Sequence, residues 1–220
     1  NPWSFAFSHK VPFVYGAKGK PGPHEVERVL STISAFADSF KDPPKLYPTA
    51  QDFAAIAAWD KKPFITISPA TVWPTKMTPL NVWVEASNQF SGEVTFVILG
   101  GPSDLNLCES LKTLLSNKHS SRNIVNLAGK ITLLQSAALI SKAMMNFTND
   151  SAPLHLASAM QAPVTASFCS TIPEFGFGPF NDNGKVIQTA EDLSCRPCGL
   201  HGHKVCPMRH FRCGNIQIKT

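Results

Sequence analysis

Charge is scarce in this chain: only 16% of its 220 residues are Asp, Glu, Lys or Arg. No dense basic run occurs, which argues against a nucleic-acid binder. Long apolar runs are missing too. The longest, such as Val94 to Leu99, fall far short of the roughly 20 residues a membrane span needs, and no charged-then-apolar leader opens the sequence, so a soluble protein is expected. Neither a Gly-x-Gly-x-x-Gly fingerprint nor a Walker lysine loop is present, and there is no internal repeat. Cysteine is sparse over most of the length. Cys108 and Cys169 stand alone and read as small core residues, while Cys195, Cys198, Cys206 and Cys213 crowd the end, which argues against a chain-wide disulfide framework.

What is present is apolar mass. Hydrophobic residues make up 43%, with 15 Phe and 4 Trp, enough to build one large core with an appendage. Lys and Arg total 20 against 15 acidic residues, a net charge of +5 that suits an anionic ligand or an anionic membrane surface. The chain opens on Asn1, Pro2, Trp3, Phe5 and Phe7, which reads as the interior of a longer protein.

From Gly22 to Phe36 the apolar residues Val26, Val29, Leu30, Ile33 and Phe36 recur at helical spacing, with Glu25, Glu27 and Arg28 between them. The spacing predicts a helix with the first set buried and the second set wet. Lys41-Asp42-Pro43-Pro44 stops it, and a short helix is expected near Asp52 to Ala58. Beyond Pro63, strands are predicted at Phe64–Ile67, Val94–Leu99, Ile124–Leu127, Met144–Phe147, Val164–Phe168 and Val186–Gln188, alternating with helices near 79–90, 105–115, 132–142 and 152–160. Such alternation means βαβ units: an α/β, Rossmann-like parallel sheet with helices on both faces, plus a short Cys-rich tail. Thr78 is expected to cap the helix that Pro79 begins, and Ser103 or Asp104 the next one.

Ligands of such sheets bind at the carboxyl ends of strands. Four places follow. The loop from Ser68 to Lys76 offers hydroxyls and a lysine for a phosphate, or is an ordinary loop with a solvated lysine. Gly100-Gly101 lets a ligand approach the backbone, and Asp104 can accept from ribose hydroxyls or simply cap a helix. The run Asn149-Asp150-Ser151-Ala152-Pro153-Leu154-His155 places free N–H groups and Ser151 at a helix start, an anion site with His155 one turn along. Two glycosylation patterns in it, Asn146-Phe-Thr148 and Asn149-Asp-Ser151, are discounted because they fall in a predicted buried strand and its turn. In the tail, Cys195-x2-Cys198 suits tetrahedral zinc, with Cys206 and Cys213 to complete a structural site. Reduced thiols or disulfides are the competing readings.

Taken together, the Trp73-Pro74-Thr75-Lys76 loop, the Gly100-Gly101 turn, the Asn126-Leu127-Ala128-Gly129-Lys130 stretch, the Asn149 to Ala157 run and the terminal Cys cluster resemble the bacterial lipopolysaccharide heptosyltransferases. The resemblance spans about residues 24 to 218. It implies the GT-B architecture of two Rossmann-like domains, and transfer of heptose from ADP-heptose to the lipopolysaccharide core with no cofactor required. It makes Thr71 and Lys76 phosphate contacts, Asp104 the ribose partner and Ile131 an adenine-packing position. Asp150, Ser151 and His155 become the turn around pyrophosphate and sugar. Relatives carry Glu where Asp104 stands, and some carry Gly at Ala152. Residues 1–40 correspond to the end of an N-terminal acceptor domain, 41–62 to an interdomain linker, 63–190 to the nucleotide-sugar domain and 191–220 to the Cys/His-rich tail. The general base belongs to the N-terminal domain, so no catalytic base is named here. The implied setting is cytoplasmic, with peripheral contact at the inner membrane and no nucleic acid. The rival expectation is a non-catalytic nucleotide-binding module whose tail recruits a protein or nucleic acid.

Overall fold

The computed structural model of the chain describes residues 4–6, 10–36, 43–59 and 61–218. Pro2, Trp3, Phe7, Lys41 and Asp42, which entered the expectations above, lie outside the described residues.

Six short strands carry the domain: β1 (Phe64–Ser68), β2 (Thr95–Ile98), β3 (Ile124–Asn126), β4 (Asn146–Asn149), β5 (Val164–Phe168) and β6 (Gly184–Gln188). Their order across the sheet is β3-β2-β1-β4-β5-β6, all parallel, the arrangement of a doubly wound Rossmann sheet. Among the described residues six α-helices accompany them: α1 (Glu25–Ser31), α2 (Ala50–Ile56), α3 (Leu80–Ser87), α4 (Leu105–Lys118), α5 (Leu133–Lys142) and α6 (Ala152–Ala159). Among the described residues no helix is long and apolar enough to cross a membrane.

The two-residue period of a strand explains how the sheet fills both layers. In β1 and β2, Ile65, Ile67, Phe96 and Ile98 point to one face, where they meet Trp83 of α3 and Leu111 and Leu115 of α4. Phe64 and Val97 point to the other and meet Ala138 and Leu139 of α5 with Leu154 and Ala157 of α6. Ile67 stands opposite both Ile98 and Phe147, so the central strands are locked in register by residues buried on both sides. Cys108 and Cys169 are wholly buried, as expected of core thiols. Burial, with Asp104 and Glu109 adding to it, pushes the Cys108 thiol up to about 12.

Two local expectations are corrected. The helix predicted from Gly22 to Phe36 is shorter, α1 ending at Ser31, and its two sets are mixed rather than sorted: Arg28 is buried and Glu27 exposed, Val26 and Leu30 are half-buried, and Val29 is 53% exposed. The Arg28 guanidinium donates to the carbonyls of Pro23 and Phe175 and to Glu25, and Tyr15 covers it with its ring centroid 4.5 Å away. A charge so completely hydrogen-bonded and stacked tolerates burial, and spacing alone cannot reveal those partners. Thr78 does not cap α3, whose N-cap is Pro79. Its hydroxyl donates instead to Ser167 (2.6 Å), and its N–H to Asn149 Oδ1 (2.9 Å).

The segment 191–218 folds back on the domain. Leu193, Cys213 and Ile216 form a small cluster with Val82 of α3 and Cys169 after β5.

Candidate functional site

The loops after β1 and β4 leave the sheet at the point where strand order reverses, where a doubly wound sheet opens a crevice. A cavity of about 720 Å³ occupies it, lined among others by Thr71, Asp104, Ile131 and Ser151. Four residues picked out in separate segments thus face one space. Leu99, itself buried, follows β2, and the two glycines come next. A Cβ on Gly100 would stand 2.9 Å from Cys108 Sγ, so the turn at the cavity wall requires glycine. Asp104 reaches back to accept the Gly101 N–H (2.8 Å). Thr71 donates to the Trp73 carbonyl (2.6 Å). Thr132 caps α5 through a reciprocal box with Gln135, fixing Ile131 immediately before it against the core and the cavity.

Lys76, Asp150 and His155 gather beside that cavity rather than in its lining. Lys76 Nζ is 2.7 Å from Asp150 Oδ2, the two side chains 15% and 5% exposed. Thr171 Oγ1 donates to the same oxygen at 2.7 Å. Lys76 is therefore not a solvated lysine: its charge is neutralised by a buried carboxylate, and an incoming anion has to share it. Ser151 is the N-cap of α6, but its hydroxyl does not cap. It approaches Thr148 Oγ1 at 3.3 Å, leaving first-turn N–H groups of the helix for an anion. His155 stands exposed beside the pair. Desolvation lowers its pKa, opposed by Asp150 and reinforced by His24 and Lys76, so it is a neutral donor and acceptor at pH 7.

Asn149 was part of the singled-out run without a role of its own. It is fully buried, donates to the Pro69 carbonyl (2.8 Å) and accepts from Thr78 N–H. It thereby ties the loop after β1 to the end of β4. Asn146 is buried as well, in line with discounting both glycosylation patterns. Thr171 and Leu133 were missed. Thr171 follows β5, so the same strand-end rule applied once more would have found it. Leu133 has the spacing of a core residue with Ala137 and Ile140, yet it is 64% exposed at the cavity rim.

The tail cysteines do not assemble as a metal centre. Among the described residues no group of three or more His, Cys, Asp and Glu side chains could hold an ion. Cys213 is instead packed into the apolar cluster on α3, and burial pushes its thiol up to about 12. Cys195 Sγ faces His210 Nε2 at 3.8 Å.

Comparison with known proteins adds three findings. The model of a family described as glycosyltransferase family 9 (heptosyltransferase) matches residues 3–209. A lipooligosaccharide heptosyltransferase 2 of Campylobacter jejuni is 27% identical over 154 residues, which are 69% of this chain and 46% of that protein. The chain thus spans about half the length of the curated relatives it matches. Among solved structures, the E. coli ADP-heptose LPS heptosyltransferase II superposes with a TM-score of 0.62 at 21% identity, over 86% of this chain and 60% of that one. E. coli heptosyltransferase WaaC with ADP gives 0.59 at 19% identity, over 83% and 54%. These likenesses carry the fold.

Proposed function

The chain belongs to glycosyltransferase family 9, the heptosyltransferases, and on that premise we propose that it binds ADP-heptose or a related nucleotide sugar for heptose transfer to a lipopolysaccharide core. The observation that carries this reading is the convergence at the strand-order reversal. Thr71, Asp104, Ile131 and Ser151 share one cavity, with the Lys76–Asp150 pair and His155 at its border.

In this reading Ile131 packs on adenine, Asp104 accepts from the ribose and Thr71 meets the phosphates. Lys76 and the N-terminal N–H groups of α6 hold the pyrophosphate. During transfer the acceptor hydroxyl oxygen bonds to the anomeric carbon as the bond to the β-phosphate oxygen breaks, and ADP leaves with that electron pair. Lys76 and the helix start stabilise the charge that develops there. His155, neutral at pH 7, bonds the sugar or phosphate. The hydroxyl proton needs a base. Asp104 is engaged with Gly101, and Asp150 with Lys76 and Thr171, so neither is free to take it, and in this reading an acceptor-binding domain supplies the base. Residues 1–40 are the end of that domain, 41–62 its linker and 63–190 the donor domain. The assembled enzyme works on the cytoplasmic side, in peripheral contact with the inner membrane.

Calorimetry with ADP, ADP-heptose and GDP tests the reading. ADP and ADP-heptose are expected to bind and GDP much more weakly. Equal affinity for ADP and GDP would remove the adenine assignment, and no heat with any of the three would remove the donor site. Heptose transfer by this chain alone would refute the external base.

A further inference from the structure

The Cys/His-rich segment 191–218 has an apolar anchor in Leu193, Cys213 and Ile216, packed with Val82 of α3. Of its polar attachments to the rest of the domain, two end beside the Lys76–Asp150 pair. The first runs through Thr75, the residue before Lys76. Thr75 Oγ1 donates to the His203 carbonyl (3.0 Å) and accepts from His203 N–H (2.7 Å) and Ser170 Oγ (3.1 Å), while Thr75 N–H also donates to the His203 carbonyl (3.2 Å). Every hydrogen-bonding capacity of the Thr75 hydroxyl is used. Gly202 makes the approach: at φ +78°, a Cβ there would stand 2.8 Å from Thr75 Oγ1, 2.9 Å from Ser170 Oγ and 3.2 Å from Lys76 Cγ. The tail backbone thus passes close beside the Lys76 stem, where only glycine leaves room.

The second attachment runs through Arg196, whose buried guanidinium donates to the carbonyls of Cys169 (2.6 Å) and Thr171 (2.8 Å) and to Gln188 Oε1 (2.7 Å). Thr171 in turn donates to Asp150 Oδ2. One arm reaches the cation and the other its carboxylate.

We propose that the tail is a positioning element of the donor site, in which Gly202–His203 acting through Thr75, and Arg196 acting through Thr171, set where the Lys76 ammonium stands. The consequence for binding rests on the donor reading above; the mechanical coupling does not. A loose Lys76 pays orientational freedom each time it meets a phosphate, so the tail raises affinity by preorganisation rather than by contact.

The experiment measures two things on the full chain: the rate at which an amine-acylating reagent modifies Lys76, followed by peptide mass spectrometry, and ADP affinity by calorimetry. Thr75→Val keeps the side-chain shape and deletes the hydroxyl bonds; Thr75→Ser keeps them. Arg196→Lys tests the other arm and serves if Thr75→Val fails to fold. Leu111→Ala, in the core on the α3/α4 face, controls for general destabilisation. Lys76 acylation is expected to rise severalfold in Thr75→Val and Arg196→Lys and to stay at the wild-type rate in Thr75→Ser and Leu111→Ala. ADP affinity is expected to fall about two- to tenfold in the first two, the cost of ordering one long side chain on binding. Wild-type acylation rates in both arm variants, or an equal rise in Leu111→Ala, would overturn the proposal. A selective rise with no ADP binding even by wild type would instead overturn the donor reading and leave the positioning intact.

Discussion

Replacing Lys76 by Met should have two effects that separate in a second variant. The ammonium is one of two partners of an Asp150 oxygen whose side chain is only 5% exposed. Lys76→Met leaves that carboxylate with Thr171 alone. Breaking a buried pair from one side costs about 3 kcal/mol, and a chain of this size loses roughly 2–4 °C in Tm per kcal/mol, so Tm should fall by about 6–12 °C. Adding Asp150→Asn removes the orphaned charge, while the amide oxygen keeps the Thr171 hydrogen bond. Removing both charges of a buried pair is close to neutral, so at least about half of the lost stability should return, a coupling on the order of 1–3 kcal/mol in the double-mutant cycle. Binding should not return. The phosphate contact is charge-assisted and worth about 1.5–3 kcal/mol, which predicts ADP weakened about 10- to 150-fold in both variants. The assays are thermal unfolding and ADP calorimetry on wild type, both single variants and the double. A double variant as unstable as Lys76→Met would refute the buried-pair argument. Unchanged ADP affinity in Lys76→Met would take Lys76 out of the phosphate site.

Three further outcomes are expected. Ile131→Ser should weaken ADP about tenfold, since an apolar face against adenine is lost, yet leave inorganic pyrophosphate unaffected; equal loss for both ligands would place Ile131 away from the base. His155 and His119 have pKa values lowered first by desolvation, so the unfolded chain binds protons that the folded one refuses. Stability must then fall on acidification through the ordinary imidazole value of about 6.5 and be regained as the pH rises above it. Thermal unfolding of His155→Gln should show a shallower fall than wild type, and parallel curves would contradict the assignment. Among the thiols, burial holds Cys108 and Cys213 at about 12. At Cys206 burial pushes upward, but the N–H groups of Phe211, Met208, His210 and Arg209 together hold the thiol below its usual value. Iodoacetamide at pH 8 should label Cys206 first and spare Cys108 and Cys213 until the chain is denatured, which peptide mapping reads directly.

Much of the fold was legible. The predicted strand at Val164–Phe168 coincides with β5, and the start of β1 at Phe64 and of β3 at Ile124 agree, because each opens on the β-branched or aromatic residues that strands favour. The cavity residues Thr71, Asp104 and Ser151 were found because strand ends are where such a sheet binds. The misses share one cause. Arg28 reads as a wet residue of an amphipathic helix, and the partners that make its burial tolerable include Tyr15 and Phe175, the latter 147 residues away. Thr78 has the sequence of a cap and is claimed by Asn149 and Ser167. Leu133 fits the apolar stripe of α5, but it belongs to the first turn, which overhangs the cavity rim instead of the sheet.

The sequence by itself determined the alternation of strands and helices, the two buried faces and the strand ends at which a ligand can bind, since each follows from periodicity and local chemistry within a few residues. Only the tertiary structure decided that Lys76 is paired with Asp150, that Thr171 completes the pair, and that the tail bonds to Thr75 across 128 residues. Those contacts join segments whose local patterns are indifferent to one another. Long-range partners are chosen by how the whole sheet and its loops close, and no window of sequence contains that information.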